Sequence, residues 1–449
     1  MRIVLGFATL SLLASAATPD AWPRWRGPND NGVARSDAPL QFSEDRNVAW
    51  KAAIPGRGMS SPVIWGDRIF VTTAVPLMAA APAADAVAEP QPGDRKGGGK
   101  GGARGRGGPG GGSAAGVEHK FVVMAFDRKT GKLLWEQTAT QATPHEGYHR
   151  QYGSFASNSP VTDGKRLFAF FGSRGLYAYS LDGKLLWKKN FQPMRMRLQF
   201  GEGSPTVLAG DRLLLKFDQE DSSYLIAVST ADGKELWRVE RDEPSSWSPP
   251  LVITHNGVEQ AIVSATNRVK SYDLKTGAVL WEVGGLGSNV IPAPVVHNGT
   301  VVVMSGHRDP NMLAIKLGGK GDLTGSDAVL WTNQRGNSYT PSPVLHDGKL
   351  YFVSDNGMLS CLDVATGKPH YLQQRLGDKP YSFKSSPVAA NGKLYLATEQ
   401  GDVLVVKMGE TYEMLAVNSM GDQMFVATPA IADGELYLRG PQALYCIRD

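Results

Sequence analysis

The segment His145-Glu146-Gly147-Tyr148-His149 has the H-E-x-x-H spacing. On a helix this spacing sets two imidazoles on one face for a zinc ion, with the glutamate as general base. Thr143-Pro144 and Glu146 supply an N-cap, a proline at the first helical position and a capping-box carboxylate. Against a helix stand Gly147 and the shortness of the stretch, which has room for about two turns. No third histidine or helical glutamate follows to complete a ligand set. His145 and His149 are therefore weak metal candidates, and equally loop residues that hydrogen-bond or touch a ligand. A second candidate is Asp218-Gln219-Glu220-Asp221, where Asp218, Glu220 and Asp221 offer hard oxygens to a cation such as calcium. The spacing is not that of an EF-hand, and a solvated acidic turn accounts for it as well. No glycine-rich phosphate loop and no Gly-x-Ser-x-Gly elbow is present, so no catalytic residue is assigned.

What must position these residues is a repeat. Ser159-Pro160-Val161 opens a unit that runs through Asp182-Gly183-Lys184 to Trp187. Ser204-Pro205 opens another that runs through Asp232-Gly233-Lys234 to Trp237. Such openings, with Ala-Pro and Thr-Pro variants, occur eight times between Ser61-Pro62 and Thr428-Pro429. Eight outer-strand positions hold Trp50, Trp135, Trp187, Trp237, Trp281, Trp331, Tyr371 and Leu415. A period of about 40–45 residues with four short strands per unit predicts an all-β, eight-bladed β-propeller of four-stranded antiparallel blades. With strands named A to D from the axis outward, the second unit reads as A from Pro160, B at 167–171, C at 176–180 and D at 185–188. These short apolar runs between Asp-Gly and Asn-Gly turns read as half-buried hairpins. The tryptophan reads as a wedge between neighbouring sheets, burying about 200 Å². Trp50 precedes the first opening, and the last unit ends after three strands. An N-terminal outer strand around 48–51 is thus expected to pair with the C-terminal blade and close the ring, which removes an exposed sheet edge.

The 449 residues divide into a leader at 1–16, an N-terminal extension at 17–46 and the propeller at 47–449. The leader has Arg2, an apolar stretch and an Ala14-Ser15-Ala16 cleavage site. No other stretch is apolar enough to span a bilayer, and no cysteine near the cleavage site offers a lipid anchor. A soluble, monomeric protein of the periplasm or the exterior is expected. Residues 76–116, within the first blade, are a Gly-, Pro-, Lys- and Arg-rich insertion with almost nothing to bury, so disorder is expected there. Net charge is +4, most of it in Arg2 and the insertion, and a nucleic-acid partner is not expected. Cys361 and Cys446 hold equivalent places two blades apart, too distant for a disulfide, and read as buried thiols.

In a propeller the D-to-A loops and the B–C loops share one face. The D–A loops here are long and carry the polar and aromatic residues that have no strand role. Arg57, His145, Glu146, His149, Tyr152, Trp247, Asn289, Tyr339 and Lys384 are the expected ligand-binding set around the central funnel. The alternative is that these loops pack on one another and seal the channel.

The unit Ser-Pro-Val … Leu-Tyr-Ala-Tyr … Asp-Gly-Lys-Leu-Leu-Trp resembles the pyrroloquinoline-quinone (PQQ)-type propeller repeat over nearly everything from Trp50 to Asp449. Trp22-Pro23-Arg24-Trp25-Arg26-Gly27-Pro28 and Phe171-Gly172-Ser173-Arg174-Gly175-Leu176-Tyr177 are similar to exported PQQ-binding-like repeat proteins. The resemblance implies two kinds of relative. Quinoprotein alcohol dehydrogenases use PQQ and calcium, with a catalytic Asp and an adjacent-cysteine disulfide; this chain has no adjacent cysteine pair, and none of their catalytic residues carries over. BamB-type propellers are non-enzymatic scaffolds that bind protein partners through loops on one face. Three functions follow: a non-catalytic binding or scaffold propeller taking a protein, small molecule or polymer on the long-loop face; a PQQ-dependent oxidoreductase; or a metal-dependent hydrolase built on His145, Glu146 and His149.

Overall fold

Leu167-Phe168-Ala169-Phe170 and Leu176-Tyr177-Ala178-Tyr179 are apolar at every position, and all of these residues are buried. The chain forms eight sheets, seven of four strands and one of five, arranged as the blades of a propeller. Each blade packs between two others, so strands B and C lose both faces to neighbours and need no alternation. This corrects the half-buried expectation for the inner strands. Only strand D alternates: in Glu235–Arg241, Trp237 and Arg241 are buried while Glu235, Leu236 and Arg238 are exposed. The computed structural model describes residues 20–77 and 116–449. The leader at 1–16 and nearly all of the insertion at 76–116 lie outside the described residues.

Val48–Ala53 pairs antiparallel with Ala443–Ile447, Trp50 opposite Cys446, and supplies strand D of the eighth blade. The ring therefore closes between the two ends of the chain, as expected. Both cysteines are free and buried.

Blade-to-blade contact explains the Asp-Gly-Lys and Thr-Gly-Lys turns. Trp50, Trp135, Trp187, Trp237 and Trp331 each donate the indole N–H to a carbonyl in the C–D turn of the next blade, at 2.9–3.1 Å. Each indole also lies against the glycine of that turn: a Cβ on Gly131, Gly183, Gly233, Gly277 or Gly367 would come within 2.5–2.8 Å of it. These glycines have φ between +69° and +87°, so conformation and contact both demand the missing side chain. The contact changes where the repeat changes. Trp281 bonds to Gln260 Oε1 instead, at 3.1 Å, and the fifth blade sends Gly321–Asp322 to pair parallel with strand D of the fourth, Val279–Val283.

The Ser-Pro openings form a second inter-blade link at the axis. The backbone N–H of Ser61 donates to Ser159 Oγ, Ala293 to Ser342, Ser342 to Ser386, Ser386 to Thr428, and Thr428 back to Ser61, at 2.8–3.3 Å. The relay lapses between the second and fifth blades. There Ser204 Oγ is buried without a partner among the described residues, Ser248 Oγ donates to Pro292 O at 2.8 Å, and Ala293 has no hydroxyl.

The N-terminal extension has a structural role that its sequence did not disclose. Trp22 exchanges backbone hydrogen bonds with Ile64 in strand A of the first blade, and Pro23 O accepts from Thr162 of the second. Arg26 is buried at the axis, donating to Pro387 O at 2.9 Å and Pro343 O at 2.7 Å, in blades seven and six. Arg24 reaches Leu208 O of the third blade, and Trp25 reaches Thr428 of the eighth. The Trp-Pro-Arg-Trp-Arg-Gly segment thus plugs the channel from the A–B turn face. Ala38 and Phe42 then fill the junction of the seventh and eighth blades, where the tryptophan place falls to Ala416, paired with Val405 as Trp237 pairs with Ala227; this corrects the expectation of Leu415, which sits one residue earlier in the bulge. Phe42 N–H bonds to Asn418 Oδ1 at 2.9 Å, and Tyr395 Oη bonds to Ala38 O at 2.7 Å.

Two stability outcomes follow. Trp237→Ala removes a buried indole and its docking bond and should cost ~3–5 kcal/mol in denaturant unfolding. Ser342→Ala strands the buried N–H of Ala293 and should cost ~1–3 kcal/mol, whereas Ser204→Ala, which strands nothing, should be near neutral. Equal costs for the two serines would contradict the relay.

Candidate functional site

The His145–His149 segment forms no helix. With Gly147 at its centre, it is a loop held from outside. His145 Nε2 lies 2.6 Å from Met194 O, so it donates, and Nδ1 accepts from Arg174 at 3.1 Å. Both imidazole nitrogens are thereby engaged. Glu146 accepts the Met196 N–H at 2.9 Å. His149 Nδ1 accepts the Tyr152 N–H at 3.3 Å, and its ring stacks on Tyr152 with centroids 4.9 Å apart. Among the described residues no group of three or more His, Cys, Asp or Glu side chains could hold a metal ion. Arg174, from the Phe171–Gly175 turn, also pairs with Glu202, which accepts Ser173 Oγ at 2.7 Å. That turn is the brace for the loop.

The second acidic candidate departs from a solvated turn. Asp218 is fully buried, paired with Arg241 at 2.7 Å and Lys216 at 3.4 Å, and bonded by Ser246 Oγ at 2.7 Å. Burial pushes the Asp218 carboxyl up, but Arg241 and Lys216 outweigh it and hold it below the usual carboxylate range. Glu220 accepts the Ser245 N–H, and Asp221 pairs with Arg195. The three carboxylates are thus divided among separate cationic and backbone partners.

Six of the nine expected ligand-binding residues do converge. His149, Tyr152, Trp247, Asn289, Tyr339 and Lys384 line one cavity of about 510 Å³ at the mouth of the channel on the long-loop face. Arg57, His145 and Glu146 do not line it. Arg57 instead clamps the loop from below, donating to Gly153 O at 2.9 Å, Gln151 O at 2.7 Å and Arg150 O at 3.0 Å.

The wall also holds residues absent from the expected set. Arg197 and Phe200 come from a D–A loop, while His307 and Arg308 come from the B–C loop of the fifth blade. The signal for the latter pair was available: B–C loops share the funnel face, and Gly306-His307-Arg308-Asp309 is the polar break between two apolar strands. Flat rings make much of the surface. His307 stacks on Tyr339 at 4.9 Å, and Phe200 lies 6.3 Å from Trp247. Trp247 is fixed by its N–H to Gly201 O at 2.8 Å.

No Asp or Glu lines this cavity among the described residues. The nearest carboxylates stand behind Lys384, whose Nζ is 2.6 Å from Asp355 and 3.7 Å from Glu399. Asp355 is further bound by Thr340 N–H and Oγ1, at 2.9 and 2.8 Å. Burial raises the Glu399 carboxyl, opposed by Lys384. Burial, with Lys384 and Arg57 nearby, lowers His149; burial, with Arg308 and Arg197 nearby, lowers His307. Both imidazoles are therefore neutral near pH 7.

The family profile of the outer membrane protein assembly factor BamB matches residues 119–371, more than half of the chain. The chain belongs to the BamB family. BamB from Legionella pneumophila (strain Paris) is 23% identical over 219 residues, 47% of this chain and 51% of that protein. A tetrathionate hydrolase from Acidithiobacillus ferrooxidans is 25% identical over 210 residues, 42% of this chain and 38% of that one. The matched stretches thus span about half or less of these relatives. Quinohemoprotein alcohol dehydrogenase from Comamonas testosteroni superposes with a TM-score of 0.60 at 12% identity, covering 96% of this chain and 81% of that one, a likeness of fold. Among the described residues of this BamB-family propeller, no helix is long and apolar enough to cross a membrane.

The depressed His149 gives a pH test. Its unfolded value is about 6.5, so below that pH the folded form binds fewer protons than the unfolded chain. Its contribution to stability is present above that pH and is lost as pH falls toward the depressed folded value. Lys384→Met removes a neighbouring cation and should raise the His149 midpoint in an NMR titration of the ring C–H protons. An unchanged or lower midpoint would contradict this electrostatic coupling.

Proposed function

We propose that this protein is a non-catalytic binding propeller of the periplasm or exterior, acting as a monomer, that takes an extracellular ligand into the funnel on its long-loop face. The observation that carries the proposal is the composition of the funnel wall: three cations, two neutral imidazoles and several aromatic rings, with no carboxylate among the described residues. Such a wall can hold and orient a molecule, but among the described residues it offers no carboxylate to act as a base or to ligate a hard cation. The name of the Legionella relative, an outer membrane protein assembly factor, supports binding over catalysis and extends the long-loop face to protein partners.

The cofactor implied by the repeat would meet the same wall. PQQ is a planar polycarboxylate, and its charge matches the funnel's cations. The calcium that accompanies it in quinoprotein dehydrogenases needs several oxygen ligands, and this wall supplies no carboxylate for it. The pair does not fit, and no oxidation is derived from it. The hydrolase reading meets a similar obstacle, because His145 has both ring nitrogens engaged.

The test is retention. Purified protein incubated with spent culture medium and desalted should carry a bound molecule in native mass spectrometry, lost in Trp247→Ala, and released with its mass unchanged. Absence of any Trp247-dependent adduct, or recovery of a chemically altered molecule, would overturn the proposal.

A further inference from the structure

The funnel wall specifies more than a generic ligand. Among the described residues, the side chains of Arg197 and Arg308 have no ion pair or hydrogen bond, whereas Lys384 is neutralised by Asp355 and Glu399. Two guanidiniums in a concavity without a carboxylate form a positive field focused by the cavity walls. Guanidinium is the group best suited to a forked bond with carboxylate or sulfate oxygens.

A second, independent feature is Asn289. It is 3% exposed and lines the cavity. Its Nδ2 faces Tyr339 Oη at 3.5 Å, while its Oδ1 is buried with no hydrogen-bond partner among the described residues. A buried acceptor left unpaired costs about 1–3 kcal/mol, and a donor brought by a ligand would relieve it. Its backbone sits at φ +58°, in the left-handed region that asparagine tolerates better than most residues. The amide is held there by the loop, with Tyr339 beside it.

The remaining polar groups on the wall suit hydroxyls. Neutral His149, its Nδ1 engaged by the Tyr152 N–H, offers an Nε2–H donor, neutral His307 has one donor and one acceptor nitrogen, and Thr340 Oγ1, which donates to Asp355, keeps acceptor capacity. Hydroxyl groups match either role. Trp247, Tyr152 and Tyr339 supply flat faces on which the C–H surface of a ring can lie. The plug closes the channel on the far side, so the space is a blind cup of about 510 Å³, the size for one small molecule or the end of a polymer.

We infer that the funnel binds a hydroxylated organic anion, a sugar acid whose carboxylate or sulfate meets Arg197 and Arg308 and whose hydroxyl donates to Asn289 Oδ1. The inference rests on the binding reading above and adds the chemistry of the ligand.

Three probes of similar ring size separate the components: galacturonate; galactose, its neutral twin; and cyclohexanecarboxylate, an anion without hydroxyls. Calorimetric titration of the full chain at low ionic strength should show galacturonate bound at least about tenfold tighter than either control, as charge-assisted bonding and a relieved acceptor require. Arg197→Gln/Arg308→Gln should erase the preference over galactose. Asn289→Ala should shrink the preference over cyclohexanecarboxylate and leave the charge preference intact. Because the wild-type comparison needs no variant, a misfolded mutant leaves the test decisive. Equal binding of galactose or of cyclohexanecarboxylate, or binding of none of the three, overturns the inference. A Trp247-dependent neutral adduct in the retention experiment would also overturn it while leaving the binding reading in place.

Discussion

Every blade in this molecule is a sheet that must bury both faces, and the rest of the architecture follows from that constraint. A four-stranded sheet with two apolar faces has no stable existence alone, so stability is held at the joints between blades. The repeated residues serve those joints. Tryptophan on strand D covers the glycine turn of the next blade, and the Ser-Pro hydroxyl accepts a backbone N–H of the preceding one. Where one link fails, another stands in. The strand at Gly321–Asp322 covers the joint where Trp281 lacks its usual turn, and Ala38 and Phe42 fill the joint that has only Ala416 in the tryptophan place. Ring closure by Val48–Ala53 is the same rule applied to the last joint.

A second pattern runs through the charges. Carboxylates beside the long-loop face are each bound by an arginine or lysine: Glu202 with Arg174, Asp218 with Arg241, and Asp355, behind the funnel wall, with the wall residue Lys384. Each pair fixes a loop or a strand end. The remainder on the funnel wall is cationic, although the whole chain carries a net charge of only +4 over 449 residues. Net charge therefore conceals the local field. What matters for a ligand is which charges the fold has already paired.

The architecture was legible because it is periodic: eight openings and seven of the eight outer-strand residues, the displaced Trp50 among them, each have one physical cause that recurs, whereas at the seventh blade, with no aromatic ring to mark it, the place falls on Ala416 rather than Leu415. The loop face was legible too, since residues without a strand role had to collect there, and His149, Tyr152, Trp247, Asn289, Tyr339 and Lys384 do. Roles within the loops were not legible. Whether His145 ligates a metal or props a loop depends on Arg174 and Met194, about thirty and fifty residues away. Asp218 appears as one carboxylate of an acidic run, yet the fold buries it against Arg241 and Lys216. The plug was hidden for the same reason: Trp22 to Arg26 show no repeat pattern, and their partners are backbone carbonyls that leave no trace in composition.

That plug bears on function. A propeller channel open at both ends admits solvent along its axis, and a ligand at its mouth competes with water from two sides. Here Arg26 closes the axis by bonding to carbonyls of two blades, with burial pushing its guanidinium down to about 9. A buried cation is costly; Asp30 nearby offsets part of that cost, and carbonyls of several converging blades offset more. The far end is thus sealed by a rigid element tied to six blades. The loop face is left as the access route, and Arg197 and Arg308, unpaired among the described residues, stand in a cup closed behind them. For the anion proposed above, that exclusion of solvent strengthens the attraction, so under that proposal the blind end contributes to binding although no plug residue lines the cavity.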